Sequence, residues 1–153
     1  MLLVDAATAR WIHVGDSRLY RFREGRRVAR TLDHSVVELL RLQGRIDEEE
    51  MKRHPDRNRL FEALGGHGHP DAETGDASVS AGDGFLLASD GLWENVDDGE
   101  LEAVLGARNL EEALTDLAAL ARERGGERCD NISVAVARYG RPGGPLAGKT
   151  AVR

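Results

Sequence analysis

The sequence predicts an α+β fold, in which antiparallel strands come first and helices follow. Three observations support this prediction. Short strand-like segments separated by turn residues fill the first thirty positions, two helices with strong capping signals lie side by side near residue 100, and apolar strand-like runs flank that helical pair. At 153 residues the chain has the size of one domain that can bury its own core.

The first four strand-like segments are expected to form an antiparallel meander. They are LLVD, RWIHV, RLYRFRE and RRVAR, joined by Ala-Thr, Gly-Asp-Ser and Glu-Gly turns. In RWIHV, Trp11 and His13 share one face, while Ile12 and Val14 share the other. Because both faces carry bulk, we expect this strand to be covered on both sides and to lie away from a sheet edge.

The middle of the chain predicts two short helices and a loop. Ser35 with Glu38, and Asp47 with Glu50, have the spacing of a capping box at a helix start. The apolar residues of the first helix are Val36, Leu39 and Leu40, with Leu42 as a further candidate. The stretch HPDRNR then breaks the periodicity at Pro55, which predicts a mobile surface element.

The rest of the chain predicts two strands that enclose two helices. A turn-rich stretch ends at a strand-like segment, and GFLLASD then reads as a buried strand. Capping pairs Asp97 with Glu100 and Asn109 with Glu112 begin the helices, and ISVAVARY is the last strand. We therefore expect an ordered domain over 1–139 and a disordered Gly/Pro-rich tail over 140–153.

Bulk properties exclude several function classes. A net charge of -6 and a pI near 5.4 leave no basic face for a phosphate backbone, so nucleic acid is not an expected partner. No stretch approaches the apolar length of a membrane span, and the first residues lack a basic leader, so a cytoplasmic location is expected. Cys129, the single cysteine, excludes an internal disulfide and a thiolate zinc cluster.

Two aspartates are candidate metal ligands. Asp90 follows the apolar run FLLAS, and Asp130 precedes the last strand. Carboxylates that meet in a cleft recruit a cation, and an all-oxygen set without thiolate selects hard ions such as Mg²⁺ or Mn²⁺. The alternative is that Asp90 with Gly91 is a turn pair and that Asp130 orders its own loop.

Other reactive residues favour a structural interpretation. His67 and His69 have ligand-like spacing, but glycines surround them, and they have no cysteine partners. Cys129 lies beside Asp130, whose charge disfavours a thiolate, and no base accompanies it. No catalytic residue is assigned.

Five motifs together resemble the type 2C (PPM) family of metal-dependent protein serine/threonine phosphatases, closest to its bacterial members. They are VGDSRLYRF, LDHSVVELL with GRI, HPDRNRLFEALGG, FLLASDGLWENV and CDNISVAVA, and they cover residues 3–139. The resemblance implies an αββα sandwich and a two-metal centre with Mg²⁺ or Mn²⁺. It makes Asp90 and Asp130 ligands of that centre and Asp16 a ligand of a third, weaker ion. Residues 44–58 would be a mobile flap beside it.

The resemblance covers the C-terminal portion of the family domain. The family's phosphate-binding arginine, an early acidic ligand and a DG-x-GG motif have no counterpart here, so the sandwich is expected to be incomplete. Expected partners are a phosphoprotein substrate, a cognate kinase, and a second copy or complementing chain. The alternatives are an inactive phosphatase-like binding module and a fragment without a separate role.

Overall fold

The computed structural model describes residues 1–65, 68–140 and 150–152, which contain eight strands and five α-helices. The strands are β1 (Leu2–Val4), β2 (Thr8–His13), β3 (Arg18–Arg23), β4 (Arg26–Arg30), β5 (Glu73–Ser78), β6 (Gly84–Ala88), β7 (Val134–Arg138) and β8 (Thr150–Val152). The helices are α1 (Val36–Leu42), α2 (Glu48–Arg53), α3 (Asp90–Trp93), α4 (Asp98–Gly106) and α5 (Leu110–Gly125), and a 3₁₀ turn is at Gly126–Arg128.

The strands form two antiparallel sheets. The first sheet has the order β1-β2-β5, and the second has the order β4-β3-β6-β7-β8. The predicted meander is therefore wrong at one connection, because the Gly-Asp-Ser turn carries the chain from β2 in the first sheet to β3 in the second. This crossing places Asp16 between the two sheets.

The central position predicted for the RWIHV segment is confirmed, but its coverage on both sides is not. β2 lies between β1 and β5. Trp11 is half-buried toward the second sheet, while Ile12 on the opposite face is 37% exposed. In the described part of the chain, both faces of β2 carry apolar side chains, but only the face that carries Trp11 is covered.

The second sheet has a hydrophobic cluster on each face, because successive side chains of a strand point to opposite faces. Leu19 and Phe85 face the first sheet and pack with Ala9. The other face packs against the helices; its cluster includes Tyr20, Phe22, Leu86, Leu92, Trp93, Leu101, Leu114 and Leu117. The described chain is thus an α+β sandwich with helices over the second sheet.

Helix starts agree with the capping signals, with one exception. Asp47 with Glu50 and Asp97 with Glu100 form both halves of a capping box. Ser35 accepts a hydrogen bond from the Glu38 amide at 3.2 Å, but the Glu38 carboxylate turns instead to Arg30 and Arg41. The capping box at Ser35 is therefore only half formed, because two arginines compete for the glutamate.

The apolar face predicted for α1 is only partly right, because Val36 and Leu40 are half-buried but the other two residues are not. Val37 is buried, whereas Leu39 and Leu42 are 46% and 56% exposed. Glu38, which periodicity alone would turn to solvent, is buried with its two arginines. Charge pairing decides which face of this helix turns inward.

Residues 140–153 were expected to be a disordered tail, and the structure differs at three of them. Thr150–Val152 form β8, which pairs antiparallel with β7 from Val134 to Val136. Residues 141–149 and Arg153 lie outside the described residues. In the part of the chain that the structure describes, no helix is both long and apolar enough to cross a bilayer.

Candidate metal centre

The two candidate ligand aspartates lie at the same edge of the second sheet. β6 ends at Ala88, β7 begins at Val134, and these residues are paired in the antiparallel ladder. Because neighbouring antiparallel strands run in opposite directions, the loop after β6 lies beside the loop before β7. The sheet thus brings together Asp90 and Asp130, which are 40 positions apart in the sequence.

Ser89 links the two loops through hydrogen bonds. Its amide donates to the Ser133 carbonyl at 2.9 Å, and its hydroxyl donates to the Asn131 carbonyl at 2.9 Å. The same hydroxyl accepts from the Ser133 amide at 2.9 Å. One small side chain therefore fixes the spacing of the segments that carry Asp90 and Asp130.

Gly91 allows the loop after β6 to approach the loop before β7 more closely than a residue with a side chain would. A Cβ placed there would lie 2.8 Å from the carbonyl oxygens of both Asp130 and Asn131. This contact is closer than real Cβ atoms show, and both neighbours are backbone atoms that cannot rotate away. The glycine after Asp90 thus has a packing role at the centre, beyond the turn propensity of an Asp-Gly pair.

Asp16 approaches from the connection between the sheets. The buried Trp93 indole donates to the Asp16 carbonyl at 3.0 Å, and the Arg18 guanidinium lies 3.5 Å from the centre of the Trp93 ring. Burial raises the pKa of the Asp16 carboxyl, and the neighbouring Asp90 raises it further. Asp16 and Asp90 therefore interact electrostatically, as ligands of a shared cation would.

Glu94 also lies at this centre, although it was not among the ligands expected from the sequence. Burial raises the pKa of Glu94, and the nearby carboxylates of Asp90 and Asp16 raise it further. Arg57, whose Nε lies 3.4 Å from Glu94 Oε1, acts in the opposite direction. The signal was available, because Glu94 follows Asp90 by four residues, which is the spacing of one helical face, and caps the end of α3. Arg57, from the predicted flap, is thereby connected to the acidic site.

The carboxylates are close but do not form a closed ligand set. Asp90 Oδ1 accepts from the Gly91 amide at 2.9 Å, and Asp130 Oδ1 accepts from the Asn131 amide at 2.6 Å. In residues 1–65, 68–140 and 150–152, the only group of three metal-binding side chains within 4.8 Å of one another is His13, His34 and Glu73. The assignment of Asp16, Asp90 and Asp130 as ligands remains a prediction.

The donor atoms of this centre fit a hard divalent cation. Every candidate ligand is a carboxylate oxygen, which is the ligand that Mg²⁺ and Mn²⁺ prefer. Burial and the neighbouring carboxylates raise the pKa of Asp16 and of Glu94, and a bound cation would offset both effects. The arrangement therefore suits a carboxylate-bound metal ion at the exposed edge of the second sheet.

Two of the sequence motifs meet in a buried ion pair beside this centre. Arg18 donates to Asp33 through two nitrogens at 2.9 and 2.7 Å, and both side chains are 1% exposed. Burial alone lowers the pKa of Arg18, but the paired Asp33 outweighs it and the pKa rises. Arg18 of GDSR and Asp33 of LDHS thus hold the strand under Asp16 to the loop before α1.

The remaining reactive residues do not join the centre as candidates. Cys129 is half-buried, with Sγ 3.9 Å from the Ala121 carbonyl. His69 is exposed, and His67 lies outside the described residues. The structural interpretation of Cys129 stays a prediction.

The predicted flap is attached to the fold at several points. Met51 of α2 is 1% exposed, and Lys52 donates to the Val96 carbonyl at 2.9 Å. Glu48 pairs with Arg27 at 3.2 Å and with Arg30 at 2.7 Å. Burial raises the pKa of Glu48, but the two arginines outweigh burial and bring it to about 2. The flap helix is therefore docked through charge as well as through an apolar anchor.

Known proteins similar to this chain are bacterial phosphatases. A protein phosphatase 2C-type of Streptococcus pyogenes is 34% identical over 131 residues, which cover 85% of this chain and 52% of the relative. The serine/threonine protein phosphatase PstP of Mycobacterium tuberculosis is 38% identical over 126 residues, covering 82% of this chain and 24% of PstP. A scan against protein-family models finds no match.

Solved structures with the same arrangement are also phosphatases. The crystal structure of serine/threonine phosphatase Stp1 from Staphylococcus aureus superposes with a TM-score of 0.81 at 30% identity, covering 90% of this chain and 54% of that one. The catalytic domain of PstP in complex with two manganese ions gives a TM-score of 0.72 at 32% identity, covering 88% and 54%. The chain spans about half the length of these solved structures, and about half or less of the curated relatives.

Proposed function

We propose that this chain, which belongs to the type 2C (PPM) family of metal-dependent protein serine/threonine phosphatases, supplies part of a phosphatase active site. In this proposal Asp90 and Asp130 are metal ligands, and Asp16 is a further ligand. The single observation that carries it is the pairing of β6 with β7, which brings the aspartates of SDG and DN to one sheet edge across a contact that only Gly91 allows. Homology to named phosphatases supports the reaction class.

The proposed ions are Mg²⁺ or Mn²⁺, and we favour Mn²⁺ for experiments because a similar phosphatase has been solved with two manganese ions. A divalent ion at such a site supplies positive charge for phosphoryl oxygens and activates a water molecule. The chain's own residues orient that ion. Asp90 and Asp130 hold it from two fastened loops, while Trp93 fixes the backbone of Asp16.

The proposed substrates are phosphoserine and phosphothreonine in proteins, which implies a cognate kinase as the opposing enzyme. Because the chain spans about half of its solved structural relatives, a complete centre would need residues beyond those of this chain. We also propose a cytoplasmic location, supported by a single cysteine that excludes an internal disulfide and fits a reducing compartment.

The test measures Mn²⁺-dependent hydrolysis of an aryl phosphate and of a phosphothreonine peptide. It compares this chain, the longest product of the gene, and that product with Asp90→Asn or Asp130→Asn. We expect the longest product to be active and each variant to lose at least about 100-fold, since removing a metal ligand removes charge stabilisation. Asp116→Asn, an exposed change on α5, is the matched control and should retain activity. An inert longest product would refute the proposal.

A second candidate function is a non-catalytic phosphatase-like module. It is favoured by one observation, namely that Asp16, Asp90 and Asp130 do not form a closed ligand group among the described residues. Calorimetric titration of this chain with Mn²⁺ distinguishes the phosphatase proposal from the non-catalytic module. Tight binding of two ions would contradict the module, whereas weak binding together with an inert longest gene product would favour it.

We further propose that this chain self-associates or binds a complementing chain. The first sheet has three strands among the described residues, and β1 and β5 are its edges. Leu3 on β1 is 60% exposed, and Ile12 on the same face is 37% exposed. Open strand edges beside exposed apolar side chains favour pairing with another chain.

A further inference from the structure

A cluster of His13, His34 and Glu73 contains none of the candidate ligand aspartates and has no role in the proposed reaction. One potential ligand atom from each residue lies within 4.8 Å of the others. His13 ends β2, Glu73 begins β5, and the two are direct cross-strand partners in the first sheet. His34 comes from the loop before α1, so three separate segments meet here.

The two ring nitrogens of His13 have different surroundings. Its Nε2 lies 2.8 Å from the Leu32 carbonyl, which can only accept, so Nε2 carries the donated proton. In a neutral ring Nδ1 then has a free lone pair. That Nδ1 is buried and has no hydrogen-bond partner in the described part of the chain. A buried acceptor without a partner costs stability, so a ligand at this atom would remove that cost.

The Leu32 contact also has the form found around metal-bound histidines. A ligating imidazole commonly donates its other N–H to a carbonyl or carboxylate, which fixes the tautomer and aims the free nitrogen. Here the carbonyl holds the proton on Nε2 and leaves Nδ1 as the nitrogen with a free lone pair. The ring is therefore oriented before any ligand arrives.

His34 is held in place by its neighbours. Its amide donates to the Gly15 carbonyl at 2.9 Å, and its ring stacks on Phe61 with centroids 5.8 Å apart and planes 19° apart. The rings of His13 and His34 are 4.7 Å apart, and His34 Nε2 lies 3.8 Å from Glu73 Oε2. Two imidazoles and one carboxylate thus converge from fixed positions.

We propose that His13, His34 and Glu73 form a binding site for one Zn²⁺ ion, separate from the carboxylate centre. Imidazole nitrogens with one carboxylate oxygen suit zinc, whereas Mg²⁺ prefers oxygen ligands alone. Ligand atoms around tetrahedral zinc lie about 3.3 Å apart, so ligand atoms that are now up to 4.8 Å apart must approach by at most about 1.5 Å. Glu73, whose side chain is 47% exposed, has the freedom to make this movement.

Zinc binding at this site has one identifiable cost. The Gly15 amide donates to His34 Nδ1 at 3.4 Å, which is near the limit for a hydrogen bond. If zinc takes Nε2, the ring proton moves to Nδ1 and this contact is lost. Because the contact is long, the loss is small compared with metal coordination. The ion would tie the first sheet to the loop that carries Asp33.

The test is a calorimetric titration of the full chain with Zn²⁺ in excess Mg²⁺, which occupies all-oxygen sites. We expect one Zn²⁺ per chain, and at least about ten-fold weaker binding for His13→Ala and for Glu73→Gln, since even losing an outer partner of a ligand costs that much. His69→Ala, at an exposed histidine, and Asp90→Asn should bind as the parent chain does. Co²⁺ in place of Zn²⁺ should give visible absorption that the His13→Ala variant lacks.

Thermal unfolding gives a second readout that distinguishes lost binding from lost folding. A ligand that binds the folded state raises the melting temperature, so Zn²⁺ should stabilise the parent chain and the His69→Ala variant. Glu73→Gln should melt like the parent without zinc and gain no stability from it. No zinc binding by the parent chain, or unchanged binding by both His13→Ala and Glu73→Gln, would overturn the proposal. Neither result bears on phosphatase activity, which is assayed with Mn²⁺.

Discussion

Single residues at the centre act through close backbone contacts and buried charge. Gly91 lets the loop after β6 touch the loop before β7, and Ser89 fastens them with hydrogen bonds. Arg18 and Asp33 hold the strand beneath Asp16 in a pair that is nearly fully buried. These residues would affect metal binding without being ligands.

We predict that Gly91→Ala destabilises the fold by about 1–3 kcal/mol, because the new Cβ overlaps the carbonyl oxygens of Asp130 and Asn131. Mn²⁺ affinity should also fall, since those carbonyls belong to the loop that holds Asp130. Gly106→Ala, at the end of α4 with nothing within 4 Å of its Cβ, is the matched control and should be neutral or stabilising by up to about 1 kcal/mol. Urea unfolding and Mn²⁺ titration measure both effects, and equal stabilities would contradict the packing role.

We predict that Asp33→Ala costs about 3–5 kcal/mol of unfolding free energy, because it leaves the buried Arg18 guanidinium without its partner. The control is Arg10→Ala, which removes an exposed pair with Asp5 and should cost no more than about 1 kcal/mol. Chemical denaturation compares the two variants. A similar small loss for both would show that burial does not strengthen the inner pair.

At the scale of elements, helix α2 is docked by two different interactions. Met51 enters the interior, while Glu48 reaches Arg27 and Arg30 on β4. Arg57, a few residues beyond the helix, pairs with Glu94 beside the candidate centre. Movement of this segment would therefore change the charge around Asp90 and Asp16, which couples the predicted flap to the site.

We predict that the docking of α2 weakens in acid. The folded-state pKa of Glu48, about 2, lies below its ordinary 4.5, so the ionised form stabilises the folded state. This stabilisation is fully present above about pH 4.5 and is lost as the pH falls toward 2. The stability difference between the parent and Glu48→Gln should therefore shrink over that range. Unfolding of both proteins is followed at each pH, and a stability difference that stays constant as the pH falls toward 2 would contradict the prediction.

At the scale of the whole molecule, the two sheets differ in how they are covered. The second sheet packs the first sheet on one face and helices on the other. In the described ranges, the outer face of the first sheet exposes Leu3 and Ile12. Relatives and solved structures about twice as long, or longer, offer further chain that could cover such a face.

We predict that this chain self-associates through the outer face of the first sheet. Leu3→Lys should weaken association at least about ten-fold, because it places a charge in an apolar contact. Val28→Lys, at an exposed position on β4 of the other sheet, is the control and should associate as the parent does. Light scattering across a concentration series measures this, and a chain that stays monomeric throughout would contradict the prediction.

Local sequence patterns were enough to locate the strand segments, most helix starts and the two apolar strands beside Asp90 and Asp130. These features depend on local signals, namely alternation, capping side chains and turn residues, which act within a few positions. The capping boxes of α2 and α4 and the buried strand β6 were predictable for that reason. Asp90 and Asp130 were candidate ligands from their positions after and before apolar strands, and the family motifs added Asp16.

The other features could not be predicted from local patterns, because they depend on contacts between residues that are far apart in the chain. The change of sheet at the Gly-Asp-Ser turn, the inward face of α1 and the place of Glu94 result from packing and charge pairing between distant segments. The meeting of His13, His34 and Glu73 is of the same kind, since β2 pairs with β5, which is distant in the sequence. Local patterns do not encode such contacts, because the interactions form only when segments that are distant in the sequence come together in the fold.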